Sequence, residues 1–70
     1  MSRIALKYEM ELENLVDQAG LYNVLAALVT ICESKADHLR STWQDEGAAR
    51  AWEQAGDHVL SAAERCRKFF

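Results

Sequence analysis

The chain contains no proline, and glycine occurs at only three positions, Gly20, Gly47 and Gly56. The segments between them are dominated by Ala, Leu, Glu, Gln, Lys and Arg, which are good helix formers. No sustained alternation of apolar and polar residues, the pattern of a half-buried strand, is bounded by turn residues. The sequence therefore predicts an all-α protein with breaks near Gly20 and Gln44.

The first predicted helix runs from about Ser2 or Arg3 to Gln18. Tyr8, Leu12, Leu15 and Val16 recur at helical spacing and form its apolar face. Gly20 is expected to follow its end, because glycine readily adopts the left-handed conformation of a C-terminal cap.

The second predicted helix covers residues 21–43. Its apolar residues recur in steps of three and four, which indicates one continuous buried stripe. Val24 and Ile31 widen the stripe near its start, whereas the opposite face carries charged residues. The stripe consists of Leu21, Leu25, Leu28, Cys32, Ala36, Leu39 and Trp43.

The third predicted helix covers residues 45–68. Asp45 is suited to cap its first turn, and the basic residues of its last turn complement the helix dipole. Gly56 lies in the helix interior, either because another helix approaches closely there or as a tolerated defect. The predicted buried stripe consists of Ala48, Trp52, Ala55, Val59, Ala62, Cys66 and Phe69 or Phe70.

A link of only one or two residues around Gln44 makes the second and third helices antiparallel neighbours. We therefore expect residues 1–70 to form a single domain, a long helical hairpin with the shorter first helix packed on it. The apolar residues include eleven alanines, so one short chain supplies little core volume. We expect dimerisation to complete a bundle, with the first helix either packing on its own chain or exchanging between chains.

Composition narrows the classes of partner and compartment. A net charge of −3 weighs against non-specific binding to nucleic acid, although a local basic patch stays open. The longest apolar stretch, residues 24–29, is far shorter than the roughly 20 residues that cross a bilayer. Two cysteines are too few for a disulfide scaffold, and no signal-peptide pattern is visible. We therefore expect a cytoplasmic protein that does not associate with a membrane.

The pattern Glu-x-x-x-Asp-His occurs twice, at residues 33–38 and again at residues 53–58. Helical bundles that bind metal place Glu and His three residues apart, so that both side chains point inward. A spacing of five directs them about 140° apart around the helix instead. We expect no metal or other cofactor, although a metal site that uses Cys32 and His58 stays open.

No arrangement in the sequence is typical of catalysis. Cys32 lies on the apolar stripe of its helix, where a cysteine usually behaves as a small inert hydrophobe. No glycine-rich phosphate loop and no zinc-binding cysteine spacing occur. We predict that the chain is not an enzyme and has no catalytic residues.

Four residues near the predicted hairpin tip, Arg40, Trp43, Arg50 and Trp52, form the candidate partner-binding site. The favoured interpretation of the two tryptophans is an aromatic plug that closes the core. The alternative is an exposed contact surface, because Trp and Arg are enriched at interaction hot spots.

The sequence favours a small non-enzymatic regulatory protein, a helical-bundle homodimer that binds a protein partner. One alternative is an RNA- or nucleic-acid-binding regulator. The expected architecture is similar to that of plasmid RNA-regulating hairpin proteins, whose functional motif is not visible here. A further alternative is an acidic decoy inhibitor, in which Glu9, Glu11, Glu13 and Asp17 would occupy a basic site.

Overall fold

The computed structural model describes residues 3–68, with side chains from Lys7 onward. Within these residues the chain forms three helices, α1 (Arg3–Ala19), α2 (Leu21–Ser41) and α3 (Glu46–Cys66). The prediction of an all-α fold with a packed hairpin of the second and third helices is confirmed. Helices α2 and α3 each end two residues before their predicted ends, and Phe69 and Phe70 lie outside the described residues.

The two breaks between helices have different structures. Gly20 has a φ of 89°, which favours glycine, and its N–H donates to the Val16 carbonyl at 2.8 Å. The helix axes of α1 and α2 turn by 115° at this point. The second break is a loop of four residues, in which Gln44 has a φ of 52° and the Asp45 N–H donates to the Leu39 carbonyl at 3.0 Å. The Asp45 carboxylate then accepts from the Ala48 N–H at 3.0 Å, as predicted for an N-terminal cap.

The interface between α2 and α3 consists of small residues. Cys32 and Ala36 are the buried residues of α2. They face three buried residues of α3 that are spaced seven apart, Ala49, Gly56 and Ala63. A spacing of seven keeps residues on one side of a helix, so α3 presents a continuous strip of small residues to α2.

The predicted buried stripe of α3 is wrong at three of its six described positions, Trp52, Ala55 and Ala62. Ala55 and Ala62 are exposed, and their neighbours Gly56 and Ala63 are buried instead. Because the residues at both pairs of positions are small, the periodic pattern does not distinguish a buried face with Ala55 and Ala62 from one with Gly56 and Ala63. The structure selects the face with Gly56, because the absent side chain there lets α2 and α3 approach more closely.

The predicted stripe of α2 also differs from the structure. Leu28 is 38% exposed and Ile31 is 48% exposed, since both lie on a side of α2 that α3 does not cover. Trp43 belongs to no stripe, because α2 ends at Ser41 and Trp43 lies in the loop.

Helix α1 contacts α2 alone among the described elements, and loosely. Its predicted apolar face is largely uncovered: Tyr8, Leu12 and Leu15 are each about half exposed or more, and only Val16 is half-buried. The expectation that α1 packs on the hairpin is therefore met only at its contact with α2.

No single helix among residues 3–68 is both long and apolar enough to cross a membrane. Helices α1 and α2 would meet that criterion only as a pair, bent by 115°.

Candidate interaction surfaces

Arg40 joins the end of α2 to the start of α3. Its Nε donates to the Glu46 carboxylate at 2.8 Å and one terminal nitrogen donates to the same carboxylate at 2.9 Å. The same terminal nitrogen also donates to the carboxylate of Glu53, which lies about two turns further along α3 than Glu46. The two carboxylates raise the pKa of Arg40 above its already high value, and Arg40 lowers the pKa of Glu46. Arg40 therefore connects the hairpin arms instead of projecting freely as a contact residue.

Arg50 is 3.9 Å from the Glu46 carboxylate, one turn earlier on α3. The two arginines of the candidate site thus share an acidic partner within their own chain. This arrangement leaves less positive charge for a phosphate backbone than two solvated arginines would supply.

Trp43 projects from the loop between α2 and α3. It is 68% exposed, and its indole N–H lies 3.4 Å from Nε2 of His38. The interpretation of Trp43 as a plug for the core is wrong, because its side chain lies in the loop and most of its surface is exposed.

Trp52 lies on α3 at the border between two surfaces. It is 38% exposed and lines a concave site together with residues of α2, and also borders a shallow surface of alanines. Of the four predicted site residues, the two arginines are paired with acids, Trp43 lies in the loop and Trp52 lies on α3.

An apolar groove lies between α1 and α2, with a volume of about 320 Å³. We call it the α1–α2 groove. Its α1 wall includes Leu12 and Leu15, which are 47% and 50% exposed. The α2 wall consists of Asn23, Val24, Ala27, Leu28 and Ile31. Exposed leucines on the α1 wall and exposed Leu28 and Ile31 on the α2 wall make this groove a candidate interaction surface.

Alanines of α3, half-buried at position 48 and exposed at positions 51 and 55, extend this apolar side of the hairpin. Ala48, Ala51 and Ala55 border a shallow depression beside Trp52. Helical spacing places them on the flank of α3 that adjoins the Leu28 side of α2. These alanines, two of which the sequence assigned to the core, are instead part of an uncovered surface.

A second groove follows the opposite side of the α2–α3 seam. Its volume is about 170 Å³, and buried Gly56 lies at its base. We call it the acidic groove, because three of its lining side chains are carboxylates. The lining includes Val29, Glu33, Trp52, Glu53, Asp57 and Leu60. Glu33 and Val24 are nine residues apart, which directs them about 180° apart around α2, so the two grooves lie on opposite sides.

The four acidic residues of α1 that were considered for a decoy, Glu9, Glu11, Glu13 and Asp17, are all exposed. A carboxylate on a solvated helix face needs no binding role to explain its exposure. The decoy hypothesis stays a prediction.

The thiols and histidines do not converge. Cys32 is buried and Cys66 is half-buried, and both are free. In the part of the chain that the structure describes, no three His, Cys, Asp or Glu side chains are grouped as they would be around a metal ion. Cys32 is instead buried beside Gly56 of α3, close enough that a Cβ atom added at Gly56 would lie 3.1 Å from the Cys32 Cβ.

Sequence reasoning missed the acidic groove because its lining comes from two helices. Glu33 and Asp57 each belong to one copy of the Glu-x-x-x-Asp-His pattern, and nothing in that pattern indicates that the two copies border a groove. The signal for the groove was Gly56 flanked one turn away by Trp52 and Leu60, which leaves a notch between two large side chains.

No protein-family model, no curated protein and no solved structure matches this chain.

Proposed function

We propose that this protein is a small non-enzymatic interaction module that works as a homodimer and binds a protein partner. One observation carries the proposal. Among the residues whose side chains the structure describes, the buried ones are Cys32 and three alanines, whereas Leu12, Leu15, Leu28 and Ile31 are each more than a third exposed. Large aliphatic side chains supply most of the free energy of burial, so a chain that buries only small ones needs a further apolar surface.

The overall dimensions support the same proposal. The radius of gyration is 14.0 Å, whereas a compact chain of this length would have a value of about 11 Å. The accessible surface is 5743 Å², about 1,300 Å² more than expected for a compact monomer of this mass. A stable dimer buries about 800 Å² on each partner, so the excess surface is sufficient for one interface.

The α1–α2 groove is the surface best suited to a second copy. A twofold interface is self-complementary, so each chain must offer both the projecting and the receiving residues. Here Leu12 and Leu15 project from α1, and the Leu28–Ile31 side of α2 can receive the same residues of a second chain. Docking in this way would cover the apolar side of both hairpins.

Molar mass by light scattering on a sizing column tests the proposal. At micromolar concentration the wild-type chain should have about twice its chain mass of 7.9 kDa. The double variant Leu28→Glu with Ile31→Glu should shift toward the monomer, because it introduces two charges into the α2 wall of each chain's groove. A reductant in the buffer excludes cross-linking through Cys66, and a chelator excludes assembly through a metal.

Leu60→Glu is the matched control, because Leu60 is similarly exposed at 45% but lies on the opposite side of the hairpin. It should keep the dimeric mass. A wild-type chain that is monomeric at high concentration, or a Leu28→Glu, Ile31→Glu variant with unchanged mass, would contradict the proposed dimer.

A further inference from the structure

The acidic groove stays open in the proposed dimer, because it lies on the opposite side of α2 from the α1–α2 groove. It extends along α3 from Trp52 to Leu60, a length of about 12 Å at 1.5 Å rise per residue. The groove is therefore long enough to hold about two turns of a bound helix, and α2 and α3 form its two walls.

The chemistry of the groove combines apolar anchors with negative charge on both walls. Trp52 and Leu60 are 38% and 45% exposed at its two ends. Glu33 is on the α2 wall and Asp57 on the α3 wall, and both are exposed. Within the described residues neither has an ion-pair partner, whereas Glu53 is bound to Arg40.

The charge pattern selects the class of occupant. Carboxylates on both walls repel an acidic segment and attract a basic one from either flank. The apolar notch above Gly56 accepts an aliphatic or aromatic side chain between Trp52 and Leu60. An amphipathic helix with one apolar stripe flanked by Lys or Arg matches both features.

We propose that the acidic groove binds a cationic amphipathic helix of a partner protein, with its apolar stripe against Trp52 and Leu60 and its basic residues against Glu33 and Asp57. The inference rests on the proposed role as an interaction module and does not require the dimer.

Trp52 supplies the measurement, since it lines the groove. In a Trp43→Phe chain it is the only tryptophan, and Trp43 is exposed in the loop, so its replacement should leave the helices intact. The probe is a synthetic peptide of about 18 residues, long enough to form a helix, with leucine on one face and lysine on the other. Its control is the same peptide with glutamate in place of every lysine. Titration with the lysine peptide should shift the Trp52 emission to shorter wavelength, and the glutamate peptide should leave it unchanged.

Charge reversal localises the binding. Glu33→Lys with Asp57→Lys should weaken binding of the lysine peptide by about tenfold or more, because rim charges of like sign now oppose it. The matched control is Glu13→Lys with Asp17→Lys, which changes the net charge equally on α1 and lines neither groove. That control should bind within about twofold of the parent chain, since exposed charges distant from the groove are screened by salt. Circular dichroism of each variant checks that the helices are retained.

Equal weakening by both charge reversals, or no binding of the lysine peptide, would overturn the inference. The monomer-directed variant Leu28→Glu, Ile31→Glu separates the two proposals. If it binds the peptide as the parent chain does, the acidic groove acts independently of the dimer. If the wild-type chain is monomeric but binding depends on Glu33 and Asp57, the dimer is refuted and the peptide site stands.

Discussion

At the scale of single residues, the contact between Gly56 and Cys32 determines how close α2 and α3 lie. A Cβ atom added at Gly56 would be 3.1 Å from the Cys32 Cβ. This atom is attached directly to the α2 backbone and cannot rotate away, so only a shift of the helices would relieve the contact. This distance favours close packing, and not a tolerated defect, as the reason for the glycine.

Gly56→Ala should destabilise the protein in spite of the better helix propensity of alanine. In an exposed helix interior this substitution stabilises by about 1 kcal/mol. Overpacking of a closely packed interface costs about 1–3 kcal/mol, so we expect a net loss of about 1 kcal/mol. The free energy of unfolding, measured by urea denaturation, gives the sign.

Gly47→Ala is the matched control, because a Cβ there would meet only Asp45 Oδ1 at an ordinary 3.7 Å. It should be neutral or stabilising. A Cys32→Gly background removes the contacting Cβ, so Gly56→Ala should be stabilising in that chain. If Gly56→Ala stabilises the wild-type background as much as Gly47→Ala does, the close approach at Gly56 has no energetic importance.

At the scale of secondary structure, the junction of α2 with α3 is stabilised by local contacts. Asp45 caps α3, and Arg40 binds Glu46 in the first turn of α3 and Glu53 two turns later. These contacts lie within thirteen residues along the chain, so they can form as soon as the hairpin turns. By contrast, α1 has only its loose contact with α2, which leaves its orientation to the 115° turn at Gly20.

Glu46→Gln should make stability less dependent on pH in the acidic range. The hydrogen bonds from Arg40 lower the pKa of Glu46 in the folded chain. The stabilisation is therefore fully present above the unfolded pKa and is lost as the pH falls through the folded pKa. The melting temperature of the variant should be below that of the wild type at neutral pH, and the two should converge on acidification.

Glu13→Gln, an exposed change on α1, is the control and should leave the wild-type pH profile unchanged. The effect at Glu46 should be small, since side chains on both sides of the pair are about half exposed. A constant difference between wild type and Glu46→Gln over the whole acidic range would show that the ion pair does not contribute to the pH dependence.

At the scale of the whole molecule, the three helices bury few of the described side chains. The chain measures 37 × 33 × 18 Å, and its smallest extent is less than two helix diameters. An arrangement this thin exposes both faces of the hairpin. One face offers aliphatic residues and alanines, and the other offers the acidic groove. The two faces therefore suit partners of different chemistry.

Thermal stability should increase with protein concentration if folding and dimerisation are coupled. A tenfold increase adds about 1.4 kcal/mol per dimer, which corresponds to roughly 5 °C for two chains of this length. Melting curves by circular dichroism over a hundredfold range of concentration measure the shift. A melting temperature independent of concentration would indicate that each chain folds alone.

Helix identity and approximate helix ends follow from the sequence alone, because they depend on local features. These are the absence of proline, the glycine at position 20, which tolerates the observed φ of 89°, and the capping residue Asp45. The sequence alone does not determine which of two adjacent small residues is buried. Ala55 and Gly56 look equivalent in a periodic pattern, and only packing against Cys32 decides which one is buried. The same applies to the tip, where Arg40 pairs with carboxylates of another helix and Trp43 falls beyond the end of α2. Backbone preferences act within a few residues, so the local sequence determines them. The uncovered groove walls depend instead on how the helices pack against one another, which no single segment of the sequence determines.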